Sequence, residues 1–537
     1  MSTSRIDQIV RHLQQDDIPG AVRLAQSAYL NNEFDPLILN LVAFGLETDG
    51  DLEGALRVLG ESLAQQPDDA MAYTNVGHCL VKLARPTHAL EAFNAALRID
   101  PNLPRAHHGA GLALWMRGEH AAGDAAQRRA IQLDPNYPDP YGALAVSLAQ
   151  HGDQAQSAAM ADRALELNPN EIQALMLVAD RLFASKAFED CAALLRRALA
   201  DPATAPLQRV SIHRKLGNCL DRLGRYPDAF EAYRQSNAYE RRVYKDLFEA
   251  EDIESQPEKL KRLTAHFRSA APMVEEVPAG HAMNGVRQHV FVMSFPRSGT
   301  TLLEQVLASH PDIIPLEEQP TLSEAMAHFF NRREGLAELM AATEAELEPW
   351  RQRYWEKVAG YLGPIEDKVF VDKQPSLTAF LPLIRRLFPH ARIVFNIRDP
   401  RDVILSCFRH GFVMNANMYE YTDILTLAQL YSLTMECAHV YFETLNLNVY
   451  KHRHEEFITN FEPKTRELCE FLGLTYNENM RNFVETAKKR EINTPSRDQV
   501  RAGLNTSGMA YWRNYADQLR EAAEIVKPWV TAYGYPD

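Results

Sequence analysis

Nowhere in its 537 residues does this chain run apolar for the roughly 18 positions that a membrane-crossing helix needs, so none is expected. The first residues, Met1-Ser2-Thr3-Ser4-Arg5-Ile6-Asp7-Gln8, carry no apolar core of the kind a secretion signal requires. Positive charge is in deficit: 57 Lys and Arg stand against 71 Asp and Glu, a net charge of −14. That leaves no cationic excess to displace counterions, and nucleic acid is not an expected partner. Cys79, Cys191, Cys219, Cys407, Cys437 and Cys469 form no CxxC pair and no close spacing. The pattern fits reduced thiols rather than a disulfide framework or a zinc site. No convincing His or carboxylate cluster for a metal appears. Such a chain is expected to be soluble and cytoplasmic. At 46% apolar and 24% charged it is globular in composition, and too long for a single core.

The first half has a period. Pro67, Pro101, Pro135 and Pro169 recur every 34 residues, with Pro36 and Pro202 near the same phase. Ala21, Ala55 and Ala89 keep that interval, as do Ala96, Ala130, Ala164 and Ala198, and Gly77 with Gly111. Small residues let two helices approach closely, and Pro stops the second helix of each pair. The clearest unit runs from Ala70 to Pro101 through Gly77, Ala89, Phe93 and Ala96; another starts at Val210 with Gly217, Ala229 and Tyr233. The pattern resembles tetratricopeptide repeats, so an α-solenoid is expected over 1–240. Stacked repeats curve, and the concave face is expected to hold a peptide or a partner protein. A charged helical stretch, Ala238 to Phe267, and the Pro- and Gly-containing segment 270–280 imply a capping helix and linker over 241–287.

Beyond 288, strand patterns alternate with helical ones: Val290–Met293, Val369–Asp372, Arg392–Ile397 and Leu447–Tyr450. That order predicts a mainly parallel sheet with ligands at the carboxyl ends of its strands. The first strand runs into Ser294-Phe295-Pro296-Arg297-Ser298-Gly299-Thr300-Thr301 and then a helix. A Gly-containing, hydroxyl-rich turn at a helix start offers backbone N–H groups and a positive dipole end to an anion. A nucleotide-hydrolysing P-loop would carry Lys where Thr300 stands and Gly where Ser294 stands. An ATPase, GTPase or nucleotide kinase is therefore disfavoured.

Pro296 to Leu302 resembles the 5′-phosphosulfate loop of sulfotransferases that use 3′-phosphoadenosine 5′-phosphosulfate (PAPS). Ile393 to Val403, followed by Ser406, resembles their 3′-phosphate segment. The likeness covers about 288–515. It implies a P-loop-like α/β sulfotransferase domain over 288–537, with PAPS as donor, PAP as product and no metal.

By that resemblance Pro296, Arg297, Ser298, Gly299, Thr300 and Thr301 cradle the phosphosulfate, while Arg398 and Ser406 hold the 3′-phosphate. Lys373 and Ser496 match the family's residues at the bridging oxygen, and Gln499, Val500 and Arg501 continue a loop over the donor. Trp512 is read as packing first and donor contact second. Sulfuryl transfer needs a base for the acceptor, donors for the leaving oxygen, and positioning. Glu318 is the expected base and Glu317 the alternative; the bland reading of Glu318 is a solvated surface carboxylate. Arg297 with the Glu317–Glu318 pair resembles tyrosylprotein sulfotransferases, rather than the small-molecule cytosolic enzymes that use Lys in the loop and a later His. Three departures stand out. Tyr511 replaces a Lys, His454-Glu455-Glu456-Phe457 replaces a Tyr-Glu-Asp-Leu stretch, and Pro320 and Glu324 replace arginines that hold acidic peptides. The acceptor thus stays open between protein tyrosine, carbohydrate and lipid. Two readings stand: a PAPS-dependent sulfotransferase whose repeats recruit the acceptor or a partner, and a repeat scaffold with a nucleotide-binding but inactive domain.

Overall fold

Small residues at the repeat phases are where helices meet. Ala21, Ala55, Ala89, Ala96, Ala130 and Ala164 are inaccessible to solvent in a computed structural model of the chain. The structure describes residues 5–15, 17–202, 204–249, 254–273, 285–332, 334–490 and 500–537. By packing the chain forms two compact units, Met1–Gln208 and Arg209–Asp537.

The first unit is helical throughout, a succession from Arg5–Gln14 to Phe188–Leu199 joined by short turns. Pro101 and Pro135 fall just past the helices Pro86–Ile99 and His120–Leu133, where a residue lacking an N–H ends the run. Phe93 is fully buried between two glycines. A methyl group added at Gly77 would come within 2.5 Å of its ring, and one at Gly109 within 2.2 Å. The same device recurs at Gly217, where an added methyl would meet the Tyr233 ring at 2.5 Å.

That last pair of residues sits in helices Pro206–Arg222 and Tyr226–Phe248, whose sequence continues the repeat pattern but which from Arg209 onward belong to the second unit. The packing explains why. Phe230 stacks on Phe408 at 5.1 Å between ring centres, and the Asn237 amide donates to the Phe408 carbonyl at 3.0 Å.

The second unit is built on a five-stranded sheet: β1 Gln288–Met293, β2 Ile313–Glu317, β3 Val369–Lys373, β4 Arg392–Ile397 and β5 Asn448–Arg453. Its order is β2-β3-β1-β4-β5, and every pairing is parallel. Alternate side chains face opposite sides, and both sides are covered. Val290 and Val292 join Leu303, Val306 and Phe457 in one core. On the other face His289 lies 5.0 Å from Trp355 and Phe291 5.8 Å from Phe388. β2 carries Pro315 and was not legible as a strand from the sequence. It is an edge strand, where a missing ladder donor is tolerated. All five strands point their carboxyl ends at one rim, which carries the turn at 294–299, Glu318, Lys373, Arg398 and His454. Among the described residues no helix is long and apolar enough to cross a membrane.

Candidate active site

The turn after β1 is latched from two sides. Ser294 Oγ donates to the Asn396 carbonyl at 2.6 Å, and the Asn396 amide donates back to the Ser298 carbonyl at 2.7 Å. Thr378 Oγ1 donates to the Ser294 carbonyl at 3.0 Å. Within the turn Arg297 has φ 68° and Gly299 φ 93°. The first is a conformation that non-glycine residues rarely adopt, and such outliers persist where surrounding structure enforces them. Gly299 precedes the helix Thr300–Ala308, and a methyl group there would sit 2.2 Å from His454 Nδ1. Only glycine fits. The helix start, with Gly299 as its cap, turns the positive end of its dipole toward the same rim.

Three arginines converge on that start. Arg398 donates through Nη1 to the Arg297 carbonyl at 2.9 Å and through Nη2 to the Gly508 carbonyl at 2.6 Å. Arg297 Nε donates to Ser406 Oγ at 3.1 Å. Ser406 thus meets Arg297 directly, while Arg398 spans the turn and the 508 segment. With Gly299, Arg409 and His454 they line a cleft of about 320 Å³. Burial, together with the positive charges of Arg398 and Arg409, pushes Arg297 down to about 10. Burial and the neighbouring Arg398 hold His454 well below the usual imidazole range, so the ring is neutral. Arg398 Nε and His454 Nδ1 are buried without a hydrogen-bond partner among the described residues. Crowded cations at a helix start, with unmet donor capacity, fit a polyanionic ligand.

Beside the cleft, Lys373 at the end of β3 is fully buried and ringed by carboxylates. Its Nζ lies 2.6 Å from Glu318 Oε1, 3.4 Å from Glu317 Oε1 and 3.4 Å from Glu304 Oε2. Burial disfavours the ammonium, but the three acids together outweigh it and raise the Lys373 pKa, so it stays charged. Burial raises the pKa of fully enclosed Glu304, against the pull of Lys373, and Arg490 Nη2 stands 3.5 Å away. Glu318 has φ 46° and donates its N–H to the Lys373 carbonyl at 3.0 Å. Its side chain is 46% exposed, open on the side away from the lysine. Its charge also reaches the Arg297 guanidinium.

Among the other expected residues, Pro296 accepts from the Cys407 thiol at 3.4 Å, and Ser298, Thr300 and Thr301 are buried in the turn. Val500 is 4% exposed; it packs with the Leu303 core and edges the cleft. Arg501 is directed elsewhere, donating to the Ala487 carbonyl at 3.2 Å and the Arg490 carbonyl at 3.3 Å. Ser496 and Gln499 lie outside the described residues. Trp512 packs its ring against the Arg401 guanidinium at 3.9 Å and donates its backbone N–H to Asp402 Oδ1 at 2.8 Å. Sequence reasoning missed Glu304, Asn396 and Arg409. Glu304 left a trace, since a charge inside Leu302-Leu303-Glu304-Gln305-Val306-Leu307 needs a buried partner. Among the described residues no group of three or more His, Cys, Asp or Glu is placed to hold a metal ion.

Residues 289–478 match the sulfotransferase family, and 46–104 and 188–238 match the tetratricopeptide repeat. The chain carries a sulfotransferase-family domain behind tetratricopeptide repeats. An uncharacterized protein of Aquifex aeolicus is 26% identical over 361 residues, 64% of this chain and 44% of that protein. A putative protein-tyrosine sulfotransferase of Caenorhabditis briggsae is 23% identical over 267 residues, 47% of this chain and 91% of the relative. Protein-tyrosine sulfotransferase 1 of Danio rerio is 24% identical over 264 residues, 46% and 72% of the two chains. The chain thus spans less than half the length of the Aquifex relative, and about three quarters or more of the two tyrosine sulfotransferases. The sulfotransferase-family domain lies wholly within the second unit, which also takes in the end of the second repeat match.

Proposed function

We propose that this chain moves a sulfuryl group from PAPS to a hydroxyl acceptor, with Glu318 as the base. The observation that carries the reading is the meeting of two distant segments: Arg398 Nη1 lies 2.9 Å from the carbonyl of Arg297 in the turn after β1. One ligand with phosphates at both ends suits that cleft. The turn 296–301 would hold the phosphosulfate end, with Arg297 as its cation, and Arg398 with Ser406 would hold the 3′-phosphate. PAPS supplies a sulfuryl group already activated on a phosphate.

Each step left to the protein has a residue. Glu318, open to solvent on one side, takes the proton of the acceptor hydroxyl as its oxygen bonds to sulfur. Lys373, kept charged by three carboxylates, donates a hydrogen bond where negative charge develops on the leaving phosphate oxygen. Ser496 is assigned to the same oxygen. Arg297 offsets charge on the group in flight. A domain that only bound nucleotide would have no use for a buried lysine coupled to a half-open glutamate, which favours the enzyme over the scaffold reading. The repeats, in this reading, bring in the acceptor or a partner protein; the tyrosine sulfotransferases among the relatives make a protein tyrosine the first acceptor to try.

Incubating a host lysate with sulfur-labelled PAPS and the full chain should label a discrete acceptor. Glu318→Gln should lower that rate by about 10²–10⁴-fold, the usual contribution of a general base. Equal labelling by the variant would remove Glu318 from the role and turn attention to Glu317.

A further inference from the structure

One wall of the cleft comes from the repeat-type part of the sequence. Helix Pro206–Arg222, within the 188–238 repeat match, brings Asn218, Asp221 and Arg222 to the cavity that also holds Arg297, Arg398 and Arg409. Asp221 is buried and takes three partners from the domain behind it. Arg409 Nη2 donates to it at 2.8 Å, Tyr511 OH at 2.9 Å, and Tyr515 OH also donates to it. Arg409 lies one helical turn beyond Ser406 and is packed among the rings of Tyr233, Tyr511 and Tyr515 at 5.1–5.5 Å. A carboxylate with that many donors fixes them all, and losing it would strand a buried guanidinium. Arg222, by contrast, is exposed at the rim and has no ion pair among the described residues.

We propose that Arg222 is a further nucleotide-binding residue, contributed by the first helix of the last repeat-type pair, and that its neighbour Asp221 positions Arg409 and Tyr511 in the same cleft. The proposal rests on the PAPS reading. The charge count supports it: a ligand with two phosphate groups meets Arg297, Arg398 and Arg409, of which Arg409 is already neutralised by Asp221. An unpaired rim cation supplies the missing attraction at little cost, because it gives up no ion pair when the ligand arrives. Tyr511 on the same wall is held by Asp221 and brings no cation of its own. Donor binding and the last repeat are thereby one physical element.

The test is calorimetric titration of PAP into the full chain, the Arg222→Glu variant and an Arg242→Glu control. Arg242 is equally exposed on the next helix and does not line the cleft. Reversing a rim charge beside a polyanion should weaken PAP on the order of tenfold at physiological salt, with a shallower salt dependence, and leave melting unchanged. The control should bind like the parent. Hydrogen exchange should show PAP protecting amides of 209–222 in the parent. Parent-like affinity in Arg222→Glu, or equal weakening in both variants, overturns the proposal while leaving the PAPS reading intact. A parent that does not bind PAP overturns the PAPS reading and this proposal with it.

Discussion

Replacing Lys373 by Met keeps the aliphatic stem and deletes only the charge, which isolates what the ammonium does. Its nearest partner, Glu318, is 46% exposed, and an ion pair open to water is worth at most about 1 kcal/mol. Glu304 decides the outcome, because both it and Lys373 are fully enclosed at 3.4 Å. Breaking a buried pair by removing one member costs about 3–5 kcal/mol, since the other charge stays behind without compensation. Arg490, at 3.5 Å and partly exposed, offsets a fraction of that. The Lys373→Met variant should therefore unfold in its second unit about 3 kcal/mol more easily, a fall of roughly 4 °C in melting temperature for a unit as large as Arg209–Asp537. Adding Glu304→Gln should recover part of the loss, because the stranded charge is gone and an amide can be satisfied more cheaply. Calorimetric melting of the parent, both single variants and the double variant measures this directly. A Lys373→Met protein melting within about 2 °C of the parent, or a double variant less stable than Lys373→Met alone, would refute the reasoning.

Gly299→Ala forces φ 93° on a residue with a side chain and drives its methyl group to 2.2 Å from His454, so PAP affinity should fall more than about tenfold for a stability loss of about 1–3 kcal/mol. Titration calorimetry alongside melting separates the two effects. Gly109→Ala should destabilise only the repeat unit, by about 1–3 kcal/mol, through the Phe93 ring 2.2 Å away; limited proteolysis should nick residues before 208 and leave PAP binding unchanged. His452 is buried, neither of its nitrogens has a hydrogen-bond partner among the described residues, and burial with the charge of Lys464 holds it down at about 3. Between about pH 6.5 and 3 the unfolded chain binds the extra proton, so the group's contribution to stability is lost as pH falls through that window. His452→Phe should accordingly flatten the decline between pH 7 and 4.5 by up to about 3 kcal/mol, read from denaturant unfolding at each pH.

The repeat period was readable because it is written in residues with no alternative use: alanines at helix crossings and prolines just beyond helix ends. The turn after β1 was equally plain as a strand-to-helix turn, because glycine at φ 93° and a helix start leave few substitutes. Three things were not legible. β2 hid behind Pro315, whose meaning depends on whether the strand is central or at an edge, and that is a property of the whole sheet. Glu304 belongs to an apolar helix and acquires its partner only when β3 is laid beside it. The last repeat-type helices look like their predecessors, yet Phe230, Asn237 and Asp221 pack on Phe408 and Arg409 within the second unit, and nothing in a 34-residue period records which neighbour a helix meets. Arg501 shows the converse: its place in a motif pointed to the donor, while its guanidinium caps carbonyls at 487 and 490.

Whether the segments at 297 and 398 grip one nucleotide can be read from titration of PAP into the full chain and into Arg398→Ala. The parent should show saturable one-to-one binding, and the variant a loss on the order of 10²-fold or more, since it lacks the partly buried guanidinium proposed to hold the 3′-phosphate. Flat heats for the parent, or an unchanged dissociation constant for Arg398→Ala, would contradict that grip.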